Sequence, residues 1–129
     1  MENQQKLMQE AINQAYQHAG ELRSMCAQAG DQFRGGQNDG GMESLRHVLN
    51  GVGCIAQAIH VTAPFQKSRG IEMDLTALPG MLEPLVEALE NRDFVMLSEL
   101  VTYEMEPILE GWHQKLGELS TTSDQSPQA

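Results

Sequence analysis

The chain has 129 residues, of which eighteen are acidic and eight basic, for a formal net charge of −10. A surface that grips phosphate needs clustered Lys and Arg, because counterion release drives that affinity. The densest basic spot here is Lys67-Ser68-Arg69, so nucleic acid and anionic membrane are excluded as expected partners. Apolar residues make up 40% and aromatics 5%, with eight methionines, a composition that suits narrow helical stripes better than a layered sheet core.

The first predicted helix runs from about Asn3 to Phe33. Leu7, Ala11, Ala15, Ala19, Leu22, Met25, Cys26, Ala29 and Phe33 recur at steps of three and four, the mark of one buried face. Gly30 weakens the pattern and predicts fraying after Ala29. The stretch from Gly35 to Gly41 reads as a flexible turn and not as a phosphate loop, since no Lys-Ser/Thr pair follows it. A second helix is predicted from about Gly41 to His60, with Met42, Leu45, Leu49, Val52, Ala56 and Ile59 in register and Val48 and Ile55 widening the stripe. Gly51 and Gly53 are small enough to let a neighbouring helix approach closely, and Pro64 should kink or end the helix.

Ser68 to Pro79 reads as a connector, and Pro79 as the start of a short helix from Gly80 to Asn91. Met81, Leu82, Leu85, Val86 and Leu89 form its buried face, with Glu83, Glu87 and Glu90 in water. Asn91 is expected in the left-handed cap and Asp93 as cap of the next helix. That helix extends from about Phe94 to Leu119, carries Leu97, Leu100, Val101, Ile108, Trp112, Leu116 and Leu119 inward, and is bent by Pro107 in its interior. The chain is therefore expected to be all-α, an antiparallel bundle of about four helices with a kinked C-terminal helix, in one domain over residues 1–119. Residues 120–129 have little to bury and are expected to be a disordered tail.

No apolar core follows Met1-Glu2-Asn3-Gln4-Gln5-Lys6, so no secretory signal is expected and the setting reads as cytoplasmic. In an antiparallel hairpin Cys26 and Cys54 are offset by about five residues, or ~7 Å, too far for an easy disulfide. Both are expected as buried free thiols. Glu110 and His113 form a Glu-x-x-His pair, which places two potential metal ligands on one helix face. Carboxylate metal bundles use two such pairs, and the nearest substitute, Glu43 with His47, has i,i+4 spacing on a solvent face. No cofactor is therefore expected, and a metal site at Glu110 and His113 stands as the alternative. His18, His47, His60 and His113 are scattered without a nucleophile beside them, which points away from an enzyme. Tyr103-Glu104-Met105-Glu106-Pro107 is the most distinctive string. Tyr103, Glu104 and Trp112 are its candidate binding residues, against a structural reading in which the Tyr103 ring packs and its hydroxyl bonds across the bundle. The methionines fall on or beside the core stripes, where they fill space, although an adaptable Met-lined groove is the competing use.

The run from Leu89 to Pro107, with its aspartate, aromatic, apolar helix, Tyr-Glu and proline near a Trp, resembles the C-terminal part of small helical proteins from Firmicutes-type bacteria. The likeness covers roughly residues 80–113 and implies a bacterial cytoplasmic source but no activity. In size, acidity and helicity the chain is also similar to flagellar export chaperones. The leading expectation is a non-catalytic protein-binding bundle, chaperone-like or a regulatory adaptor, whose partner is another protein. A homodimer through a Met-rich or Trp112 surface is compatible with it, and a small metal- or ligand-binding carboxylate bundle is the alternative.

Overall fold

The computed structural model describes the backbone of residues 2–125 and the side chains of residues 3–120. Every regular element among them is helical: α1 (Glu2–Arg34), α2 (Asn38–Val61), α3 (Ala63–Arg69), α4 (Ala77–Glu90), α5 (Phe94–Leu100), a π turn (Val101–Met105) and α6 (Glu106–Gln125). The all-α reading holds. The expected fourth helix is a continuous rod made of α5, the π turn and α6.

Helix α1 lies at the centre and packs against α2, α5, the π turn and α6. Its buried apolar side chains are Ile12, Ala15, Ala19, Leu22, Cys26, Ala29 and Phe33, an alternating series of three- and four-residue steps. Small side chains dominate that series, so neighbouring helices approach α1 on both flanks. The phase differs slightly from expectation. Leu7 is 64% exposed, whereas Ile12, missing from the expected stripe, is fully buried. One step of four back from Ile12 falls on Met8, which leaves Leu7 about 100° off the seam. Gly30 does not end the helix, which continues to Arg34. A Cβ at Gly30 would lie 3.0 Å from the Thr102 hydroxyl, so packing on the π turn outweighs the weak propensity.

Gly35, Gly36 and Gln37 turn the chain into α2, with Gly36 at φ +81°. Helix α2 starts earlier than expected, at Asn38, with the Ser44 hydroxyl donating to Gln32 Oε1 across the hairpin at 2.7 Å. Leu45, Val48, Val52, Ile55 and Ile59 are buried on its inner face. At Thr62 the chain bends by 63° into α3, in which Pro64 occupies the first turn. Buried Gln66 brackets this corner, donating to the Ile59 carbonyl at 2.7 Å and accepting from the Met73 N–H at 3.0 Å. The irregular connector is thereby tied to the corner, and Lys115 Nζ donates to its Glu72 carbonyl from α6.

Helix α4 begins at Ala77, so Pro79 lies within its first turn and does not open it. Met81, Leu85 and Ala88 are buried, but Val86, expected inside, is half exposed. Asn91 keeps a right-handed conformation and Arg92 takes the left-handed one at φ +52°. The Arg92 N–H reaches the Leu89 carbonyl and the Asp93 N–H the Ala88 carbonyl, a Schellman closure with arginine where glycine is usual. Asp93 caps α5 as expected, accepting from the Met96 N–H at 3.1 Å. At the other end, the backbone of α6 continues to Gln125, into the stretch expected to be a tail, and Ser120 donates to Asn13 Oδ1 at 2.8 Å. Residues 126–129 of that expected tail lie outside the described residues.

Two glycines that the sequence treats alike are separated by the fold. A Cβ on Gly51 would sit 2.6 Å from both methyls of buried Leu22, whereas one on Gly53 meets nothing within 4 Å. Gly53→Ala should stabilise the protein by about 1 kcal/mol through helix propensity. Gly51→Ala should destabilise it by about 1 kcal/mol net, because overpacking of about 1–3 kcal/mol exceeds the same gain. Urea unfolding midpoints of the two variants should therefore move in opposite directions.

Candidate functional site

Pro107 has no N–H to donate and its ring crowds the preceding turn. The helix absorbs this one turn earlier by widening, so that the Glu106 N–H reaches the Val101 carbonyl in an i→i+5 bond. The expected bend is thus realised as a π turn, a feature that recurs at functional sites. The Val101 carbonyl also accepts from the thiol of Cys26, at 3.4 Å. Cys26 is completely buried, and burial first, then the nearby Glu106 carboxylate, pushes its thiol up to about 12. Cys54, expected to be buried as well, is exposed on α2, one residue before core residue Ile55.

The residues α5 and the π turn send outward include three exposed large apolar side chains. Val95 is 73% and Tyr103 72% exposed, and Met96 is also exposed. Val95 and Tyr103 line a groove of about 400 Å³ together with Ser98, Glu99 and the end of α1 at Phe33 and Arg34. The Phe33 ring is stacked on Phe94, with centroids 6.1 Å apart, which fixes α1 against the start of α5. Arg34 donates to the Thr102 hydroxyl at 2.8 Å and pairs with Asp31, so the one cation lining the groove is already engaged. The Tyr103 hydroxyl has no hydrogen-bond partner among the described residues, and the packed, bonded Tyr103 of the structural reading is corrected: its ring stands in solvent. Glu104 is exposed beside it. Trp112 is only 5% exposed and belongs to the core, so the three expected binding residues divide into a surface pair and a core residue.

The alternative metal pair meets a cation. Arg23 of α1 holds Glu106 through Nε at 3.2 Å, Glu110 through Nη2 at 3.4 Å and His113 Nδ1 through Nη1 at 3.3 Å. The Tyr16 ring stacks on His113 with centroids 4.9 Å apart, seated where a Cβ on Gly117 would be 2.9 Å from it. A guanidinium thus occupies the donors a metal would need, and no group of three or more metal-ligating side chains gathers among the described residues. The pairing of Glu43 with His47 sits apart and is shared with Arg46. Sequence spacing identified Glu110 and His113 as sharing one face but had no means of finding Arg23, which lies about ninety residues away.

A second cleft, of about 480 Å³, separates α2 from the end of α4. Its floor is Met42, Leu45, Leu49 and Leu89, and its rim mixes Asp39 and Glu43 with Arg46 and Arg92. Of the methionines, Met81 and Met105 are buried and Met8, Met25, Met42 and Met73 pack against the core, so core filling describes most of them.

The family described as a domain of unknown function, DUF8042, matches residues 10–115. The chain belongs to that family. The match takes in the α1 stripe, the π turn and the Arg23 cluster, so these features lie within the DUF8042 unit. No curated protein and no solved structure shows a significant match. No single helix among the described residues is long and apolar enough to cross a membrane.

The two thiols should behave differently. In the native protein a thiol reagent should modify Cys54 within minutes at pH 8 and leave Cys26 intact until denaturant is added. Raising the Cys26 thiol above its unfolded value near 9 has a definite sign. The folded state keeps a proton that the unfolded state loses, so this contribution is full below pH 9 and is lost as pH rises from 9 toward 12. Cys26→Ala should flatten that part of the stability profile measured by denaturant unfolding.

Proposed function

We propose that this DUF8042 chain is a non-catalytic protein-binding bundle that receives its partner on the outer face of α5 and the π turn. The observation that carries the reading is where exposed apolar surface lies. Seven large apolar side chains are exposed among the described residues, and Val86, Val95, Met96 and Tyr103, four of the seven, fall in the segment from α4 to the π turn. Exposed apolar groups beside a groove are a usual sign of an interaction surface. Tyr103 adds a rigid ring with a free hydroxyl, a side chain suited to protein contacts. Glu104 flanks that ring, and Trp112 supports it only indirectly, through the core.

A regulatory adaptor or chaperone-like role belongs to this proposal, in the bacterial cytoplasm that the resemblance to small helical Firmicutes-type proteins implies. A metal-binding bundle is disfavoured by the Arg23 guanidinium lying between Glu110, Glu106 and His113. Self-association through the same face is opposed by Glu99 and Glu104, since an isologous contact would set one acidic surface against another.

Tagged protein should retain a specific protein from source-organism lysate, and Val95→Asp with Tyr103→Ala should release it while leaving the helical circular dichroism unchanged. Equal retention by wild type and double variant would remove the α5 and π-turn face from consideration.

A further inference from the structure

The apolar groove between α1 and α5 has a charge pattern that selects one kind of occupant. Val95, Glu99 and Tyr103 recur at steps of four and line one side of it, with Phe33 and Arg34 opposite. Glu99 and Glu104 are exposed and have no ion-pair partner among the described residues. Arg34 is held by Asp31 and Thr102. The groove therefore offers apolar contact and unspent negative charge. From Glu83 to Glu104 the chain carries six acidic side chains and one basic one, so the field around the groove has the same sign.

We infer that the occupant is a basic amphipathic helix of a partner protein, with an apolar residue seated between Val95 and Tyr103 and Lys or Arg reaching Glu99 and Glu104. This deepens the protein-binding reading and rests on it. The groove is walled by helices, and no strand edge exists among the described residues to pair with an extended peptide, so a helix lying along the groove is the fitting shape. An acidic segment is repelled by Glu99 and Glu104, and a second copy of this chain, at a net charge of −10, meets the same opposition.

A fluorescein-labelled Leu/Lys model helix serves as the probe, with a Leu/Glu helix of equal length as its counterpart, both read by anisotropy against the full chain. Wild type should bind the Leu/Lys helix and not the Leu/Glu helix, with affinity falling as salt rises from about 50 to about 500 mM and the Debye length shortens. Glu99→Lys with Glu104→Lys should weaken binding about tenfold or more. Glu10→Lys with Glu21→Lys changes net charge equally on the exposed side of α1, and should weaken it by less than about threefold. Val95→Asp should weaken it although it adds a negative charge. Equal losses from both charge reversals, tighter binding by Val95→Asp, or equal binding of the two helices would overturn the inference. The protein-binding reading fails separately, when the lysate partner is held equally by wild type and the Val95→Asp, Tyr103→Ala variant. A lysate partner released by that variant but indifferent to salt and to Glu99→Lys with Glu104→Lys would leave the reading standing and sink the basic helix.

Discussion

Most of this bundle packs onto the narrow stripe of small residues along α1, while α4 packs on α5. Ala15, Ala19, Cys26 and Ala29 are buried with almost no side-chain bulk, and α2 and the α5–π–α6 rod close on α1 from its flanks. Burial of aliphatic side chains from α2 and α6 supplies the driving force, and the smallness of the central helix lets each of them approach it closely. Gly51 against Leu22 and Gly117 against Tyr16 repeat the device on the partner helices, where a missing Cβ admits a larger side chain from α1. A core of this kind fixes the crossing positions tightly, because no flexible bulk remains to absorb a shift.

The C-terminal rod shows how a local rule and a tertiary contact combine. Pro107 forbids one backbone bond, and the chain responds with a π turn and not with a break. The Val101 carbonyl at that turn then accepts both the Glu106 N–H and the buried Cys26 thiol from α1. A buried carbonyl needs a partner, and a thiol in an apolar surrounding is a weak donor that stays protonated there. The extra residue in the turn also changes the helical phase between α5 and α6. Leu97, Leu100 and Val101 face inward before it, Leu109, Trp112 and Leu116 after it, and Tyr103 between them is left in solvent.

Polar residues at the α1–α6 seam are organised by Arg23. Its guanidinium meets two carboxylates and a histidine nitrogen, all partly exposed, so its value lies more in orientation than in stability. The Arg23 contact at Nδ1 and the stacked Tyr16 ring together orient the His113 imidazole. The constellation that looks like half of a carboxylate metal site in the sequence is, in three dimensions, a fork of hydrogen bonds from a single cation. On the opposite side of the molecule's chemistry, the unpaired Glu99 and Glu104 leave the α5 face electrostatically open.

Period and punctuation were enough to read the all-helical class, the glycine turn after α1, the Asp93 cap and most of the buried faces, because each depends on neighbours within about four residues. The same local logic failed where distant residues decide. Gly30 stays helical because Thr102 packs on it, and Arg92 takes the left-handed position because the Ala88 and Leu89 carbonyls are closed there, one residue beyond Asn91. Cys26 and Cys54 look equivalent in the sequence, yet one faces the π turn and the other water. Of the candidate site, the spacing singled out Tyr103 and Glu104, and the sequence by itself determined that an unusual string lies there. Only the tertiary structure decided that Tyr103 points outward, that Trp112 points inward and that Arg23 occupies the acidic pair, because each outcome depends on what α1 presents across the interface.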